Sequence, residues 1–165
     1  MKLFFPSLIL LLILQGCGYK PTSRYAKSVL GAKVSVEVDV YSADPLNSVI
    51  IKDAVLQALI TRFRIVTTQK QFSITHLDVK LKKVTEAAIE YDINGYVVAK
   101  RVTVDLMVNR LTKGVKKSYN VSGLFDVSVE PNAIVSDSDR FKAIKRASLK
   151  AIDALIVQLA AEGSM

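Results

Sequence analysis

In four stretches of the chain, apolar and polar side chains alternate with a period of two. Val34, Val36, Val38 and Val40 alternate with Ser35, Glu37 and Asp39, and Leu77, Val79 and Leu81 alternate with Asp78, Lys80 and Lys82. Val102, Val104, Leu106 and Val108 alternate with Thr103, Asp105, Met107 and Asn109. Tyr119, Val121, Phe125, Val127 and Val129 alternate with Ser118, Asn120, Ser122, Asp126 and Ser128; Gly123 interrupts the apolar row and reads as a bulge. Successive side chains of a strand point to opposite faces, so each stretch predicts a strand with one covered and one wet face. The strands of a doubly wound parallel sheet would carry continuous apolar runs, so that architecture is excluded.

Two stretches carry a helical period. The first opens at Asp44-Pro45, a cap residue followed by proline at the first helical position, and runs to about Phe63. The second follows Ser136-Asp137-Ser138-Asp139, whose acids suit the positive end of a helix dipole, and runs to about Ala161, before Gly163. In this helix Phe141, Ile144, Ile152, Leu155, Ile156 and Leu159 share a face. Lys142, Lys145, Arg146 and Lys150 share another, which reads as a solvated stripe. The first helix is apolar nearly all round, with Val49, Leu56, Ile60 and Phe63 on one side and Ile51, Val55, Ala58 and Leu59 on the other. Such a helix is buried on more than one side, by wide contact with the second helix or by another protein. Short connections around Asn94-Gly95 and Lys113-Gly114 predict an antiparallel meander of the last three strands. The predicted fold is a two-layer α+β sandwich: a four-stranded, mostly antiparallel sheet with two helices on one face, in the order β-α-β-β-β-α.

The N-terminus departs from this pattern. Met1-Lys2 precedes an apolar stretch from Leu3 to Leu14, too short for the roughly 20 residues that span a bilayer and of the form of a secretory signal core. Leu14-Gln15-Gly16-Cys17 follows and resembles the lipobox of bacterial lipoproteins, in which a small residue precedes the cysteine whose thiol takes the lipid. The expected organisation is a signal peptide over 1–16, a lipidated N-terminus and tether over 17–32, and one sandwich domain over 33–165. The resemblance implies a chain held at a membrane through acyl groups on Cys17, since several acyl chains anchor where one holds only reversibly. Gly18 rather than aspartate follows the cysteine, which by the sorting rule of such lipoproteins points to the outer membrane, with the domain facing the periplasm.

Composition narrows the chemistry. One Cys precludes an intramolecular disulfide and one His precludes a multi-histidine metal centre, so no metal and no cofactor beyond the covalent lipid is expected. No phosphate-binding glycine loop or nucleophile elbow is present. His76 opens a strand with no nucleophile or acid placed near it, and Glu86, Glu90 and Asp92 fall in a loop-like stretch without a partner pattern. The chain is therefore not expected to be an enzyme. Its formal net charge is +8, and all basic residues except Lys2 lie beyond the leader. For an exported, anchored domain without tryptophan, the fitting anionic partners are lipid headgroups, phosphorylated glycolipids or wall polymers rather than nucleic acid. Lys100-Arg101 and the last hairpin, with Lys113, Lys116 and Lys117, are the candidate contacts for such a glycolipid; arginine offers phosphate a bidentate fork and lysine a point charge.

Cys17-Gly18-Tyr19-Lys20-Pro21 at the mature start, the element order, and Asp44-Pro45 opening the first helix together resemble the LptE-type lipopolysaccharide-assembly lipoproteins. This resemblance covers essentially the whole chain. It implies an outer-membrane lipoprotein seated in a β-barrel of the LptD type, where it plugs the lumen, assists barrel assembly and contacts lipopolysaccharide. An auxiliary lipoprotein of a lipid-transport ABC system shares the size and anchor and is the competing class; a wall-synthesis activator lipoprotein is a third. From the lipobox follows a direct test: Cys17→Ser abolishes incorporation of a palmitate analogue in metabolic labelling, whereas equal labelling of variant and wild type excludes Cys17 as the acylated residue.

Overall fold

The computed structural model describes residues 22–39, 45–63, 65–130 and 136–164. Its elements are α1 (Thr22–Leu30), β1 (Lys33–Asp39), α2 (Pro45–Phe63), β2 (Val66–Thr67), a 3₁₀ turn (Lys70–Phe72), β3 (Thr75–Tyr91), β4 (Val97–Thr112), β5 (Val115–Ser128) and α3 (Asp137–Gly163). The strands form one sheet in the order β2-β1-β3-β4-β5. Cys17, Val40 and Asp44 lie outside the described residues.

The predicted architecture is corrected in three respects. Among the described residues the sheet has five strands, not four; it is mixed, since β1 pairs in parallel with both β2 and β3; and three helices accompany it, not two. The parallel pairs arise because α2 carries the chain back along the sheet, so the strands after it start at the same end as β1. β2 is only two residues long and both are exposed, so no periodicity marks it. α1 occupies much of the stretch expected to be a tether. Its Tyr25, Ala26, Val29 and Leu30 fall on one face at helical spacing, with Ala26 and Leu30 fully buried and Tyr25 and Val29 packed against the core. The three long strands do form the antiparallel meander. Lys113 (φ 50°) and Gly114 (φ 83°) are both left-handed, as a two-residue hairpin turn requires.

β3 and β4 run well past β1, which pairs with β3 only as far as Lys80. Glu86 and Glu90 therefore sit on a strand, not in a loop, and Glu86 accepts from Arg140 Nε on α3 at 2.6 Å. Asp92 closes the distal turn: its Oδ1 accepts from the backbone N–H of Asn94 (2.9 Å) and of Tyr96 (2.8 Å). Ile93 at the tip is fully exposed, flanked by the exposed Tyr91 and Tyr96.

One core lies between the helices and one face of the sheet. Val34, Leu77, Val79, Val104, Leu106, Val108 and Val121 supply it from the strands, and Ile51, Val55, Leu59, Phe63, Ile144, Ile152 and Leu155 from α2 and α3. Side chains of the other face, from Glu37 to Asp126, contact water. Among the described residues α2 buries only one of its two apolar sides, where its pattern predicted burial on both. Ile51, Val55, Ala58, Leu59 and also Phe63 are buried, Leu56 is half-buried, and Val49 and Ile60 remain half exposed.

Gly123 is not a bulge. The β4–β5 register runs without a shift from Thr112↔Val115 to Ala99↔Ser128, and the irregularities lie in β3 instead. Gly123 occupies an inward position where α3 presses its backbone onto the sheet, through the small residues Ala143, Ala147 and Ala151. A Cβ there would lie 1.9 Å from the carbonyl oxygen of Ala147 and 2.3 Å from the nitrogen of Ala151. Backbone cannot yield as a flexible side chain can, so Gly123→Ala should cost about 3 kcal/mol or more and lower Tm by several degrees. Ser122→Ala, exposed on the opposite face, should change stability by less than about 0.5 kcal/mol, and thermal melts of both variants check the pair.

Candidate functional site

The strongest electrostatic cluster lies where β4, β5 and the end of α3 meet. Arg110 continues the inward row of Val104, Leu106 and Val108, so its guanidinium is buried beneath α3. Its Nη2 donates to Glu162 Oε1 at 2.6 Å, while Tyr119 Oη donates to Glu162 Oε2 at 2.6 Å and Lys117 Nζ lies 3.0 Å from the same oxygen. The Arg110 and Lys117 cations stand 5.8 and 5.9 Å from the Tyr119 ring centre. Burial alone would push the Glu162 carboxyl up, but hydrogen bonds from Tyr119, Lys117 and Arg110 outweigh it and hold the group down at about 2. Burial, then the bond to Glu162, pushes the Tyr119 phenol up, so it stays a donor. The cluster is a clamp on the C-terminal turn of α3. A charged residue in phase with an apolar row was its one visible mark in the sequence.

The five candidate glycolipid contacts do not converge. Lys100 and Arg101 stand near one end of β4, and Lys113, Lys116 and Lys117 at the other, separated by roughly 40 Å of extended strand. Arg101 binds Asp126 on the neighbouring strand through two hydrogen bonds of 2.7 and 2.8 Å, which hold that carboxyl below the usual carboxylate range. Lys117 is engaged by Glu162. Lys100, Lys113 and Lys116 make no ion pair or hydrogen bond among the described residues, and Lys113 and Lys116 are exposed at the β4–β5 turn.

On the wet face, β1, β3 and β4 frame a polar depression of about 370 Å³, lined among others by Glu37, Asp39, His76, Asp78, Lys80 and Lys116. Lys80 bridges Asp39 (3.0 Å) and Asp78 (3.7 Å), and Asn109 donates to Asp78 at 3.1 Å. His76 has partners that its sequence surroundings did not show. Its Nδ1 is 2.9 Å from Ser35 Oγ, and Nε2 is 3.6 Å from Glu37. Ser35 Oγ donates to Ser73 Oγ at 2.8 Å and is buried beneath the 3₁₀ segment, so this hydroxyl is part of a closed relay and is not presented to a substrate. The Glu37 contact is too long for a hydrogen bond.

No protein-family model matches the chain, and no curated protein matches its sequence. Solved structures do. A candidate lipoprotein of Caulobacter crescentus CB15 superposes with a TM-score of 0.56 at 9% identity, over 86% of this chain and 98% of that one. Rare lipoprotein B of Shewanella oneidensis gives 0.49 at 12% identity, over 80% and 96%, and lipoprotein B of Nitrosomonas europaea gives 0.49 at 10%, over 80% and 84%. The likeness is one of fold. At this identity it carries no residue across, so the site must be argued from this chain's own side chains.

Among the described residues no group of three or more His, Cys, Asp or Glu is placed to hold a metal. The α3 stripe is exposed, as expected of a solvated face. Lys142, Lys145 and Arg146 line a cleft with Gln57 and Leu149, and Lys142 and Lys145 a second with Ile50 and Phe141. Among the ion pairs, the Glu162 clamp has the clearest pH signature. The carboxyl is depressed in the folded state, so its stabilisation is complete above the ordinary carboxylate value and is lost as pH falls toward 2. Urea titrations should show Glu162→Gln less stable than wild type by about 3 kcal/mol at pH 7, because Arg110 is left buried without its anion. The gap between the two proteins should narrow as pH drops from about 4.5 to 2.

Proposed function

We propose that the protein is an outer-membrane lipoprotein of the LptE type, a non-enzymatic subunit that sits in a lipopolysaccharide-export β-barrel of the LptD type, assists its assembly and contacts lipopolysaccharide. The observation that carries this reading is a sheet covered by helices on one face and mostly polar on the other, where Leu111 and Leu124 are the exposed apolar exceptions. Asp78, Lys80, Asn109, Ser118, Arg101 and Asp126 line that face and satisfy one another across strands. The lumen of a large outer-membrane barrel is itself polar, so a face of this character suits its wall. The lipobox at Cys17, the positive charge of the domain and the fold it has in common with the Caulobacter crescentus protein support the same reading.

Of the five basic candidates, Lys113 and Lys116 at the β4–β5 turn are the proposed lipopolysaccharide contacts, with Lys100 at the far end of the strand; Arg101 and Lys117 are held by their own carboxylates. The auxiliary lipoprotein of a lipid-transport ABC system makes a different forecast about partners, and affinity purification from outer membranes separates the two. The tagged protein should bring down a β-barrel, and its depletion should leave surface lipopolysaccharide reduced and the barrel poorly assembled. Recovery of an inner-membrane permease instead, with normal surface lipopolysaccharide after depletion, favours the second class.

A further inference from the structure

The outer surface of the helix layer carries two sets of side chains that the fold does not use. Lys145, Arg146 and Lys150 of α3 and Lys52 of α2 are exposed, and none makes an ion pair or hydrogen bond among the described residues. This contrasts with their neighbours: Lys142 is paired with Asp139 at 3.0 Å and Arg62 with Asp153 at 2.6 Å. Beside them Leu46, Val49 and Ile60 of α2 are exposed by 55%, 50% and 54%, the values of side chains standing clear of the core. Ile50 and Phe141 line the cleft between the two helices together with Lys142, Lys145 and one carboxylate, Asp53, which makes no ion pair among the described residues. Free cations interleaved with exposed aliphatic groups make an amphipathic surface. On the wet side of the sheet Lys80 and Arg101 are paired with carboxylates, while Lys82, Lys83 and Lys116 are exposed and make no ion pair among the described residues.

The path of the chain selects the occupant. Cys17 precedes Thr22 by five residues, which span at most about 17 Å. Thr22 opens α1, and α1 belongs to the helix layer, where Gly163 at the end of α3 admits the backbone of Tyr25 at close range. On the reading that Cys17 is acylated, on which this step rests, the anchor holds the helix layer near the bilayer. A membrane with anionic headgroups complements the free cations, and its interfacial zone accepts short aliphatic side chains and the stems of lysine and arginine. From these observations we propose that, before the domain is seated in its barrel, the outer face of α2 and α3 is a docking surface for an anionic phospholipid bilayer, which orients the domain with its mostly polar sheet face turned away from the lipid.

The test uses the full chain carrying Cys17→Ser, which has no acyl group, so the result does not depend on whether the wild type is lipidated. Flotation is measured with vesicles of phosphatidylcholine alone and of equal parts phosphatidylcholine and phosphatidylglycerol. The neutral vesicles record any binding by the apolar N-terminal stretch. The protein should prefer the anionic vesicles, and Lys145→Glu with Arg146→Glu and Lys150→Glu should reduce that preference by about tenfold or more, since each cation near an anionic surface contributes roughly fivefold. Lys70→Glu with Lys82→Glu and Lys83→Glu, all exposed and outside the helix layer, changes the net charge equally and should retain it. Val49→Ser with Ile60→Ser, which removes exposed groups and leaves charge unchanged, should weaken binding as well and serves if the triple α3 variant does not fold. Equal binding to both vesicle types overturns the proposal, as does equal loss in the two triple variants, which would reduce the effect to net charge.

Discussion

Because Gly123 has no side chain, the backbone of α3 at Ala147 and Ala151 lies directly against β5, closer than a helix with ordinary side chains could come. This approach sets the position of the longest helix in the domain, and the other contacts follow from it. Ile144, Ile152, Leu155 and Leu159 then reach the apolar rows of the strands, Glu162 arrives over Arg110, and α1 and α2 find a fixed surface to pack on. The stripe of alanines on α3 and the glycine on β5 are a matched pair. Their burial contributes less through area than through the contacts it makes available to larger side chains.

The charges of the domain fall into two populations. Arg110, Lys117, Arg101, Arg140, Arg62 and Lys80 each have a carboxylate within ion-pair distance, and these pairs join elements remote in sequence. Most are partly exposed and contribute modestly; the Arg110–Glu162 pair, shielded by Tyr119 and α3, is the one whose loss would strand a buried charge. The remaining described cations have no carboxylate within ion-pair distance among the described residues; they include Lys145, Arg146 and Lys150 on α3, Lys113 and Lys116 at the β4–β5 turn, and Lys82 and Lys83 on β3.

This distribution gives the domain unlike surfaces. The open sheet face is mostly polar and carries cross-strand pairs such as Arg101–Asp126, and the helix layer carries unpaired cations near exposed aliphatic groups. The long β3–β4 hairpin, stiffened at its turn by Asp92, extends the sheet well beyond the core and ends in Tyr91, Ile93 and Tyr96, a third surface of different character.

Period-two alternation was enough to place β1, β3, β4 and β5 and to say which of their faces is covered, because burial on one side of a pleated strand imprints itself on every second residue. The helix starts at Pro45 and Ser136 were equally legible, since capping and the absent proline N–H act within one turn of chain. Three features were decided only in three dimensions. β2 is too short to carry a period and exists because α2 returns the chain to the edge of β1. Gly123 looks like a break in a strand until the helix that rests on it is in place. The basic residues at Lys100-Arg101 and Lys113-Lys117 look like one group in sequence, yet an extended strand puts its ends far apart, and which cations remain free depends on carboxylates such as Asp126 and Glu162 brought in by tertiary pairing. Local chemistry writes elements into the sequence directly; the partners of a charge and the space beside a glycine belong to residues dozens of positions away.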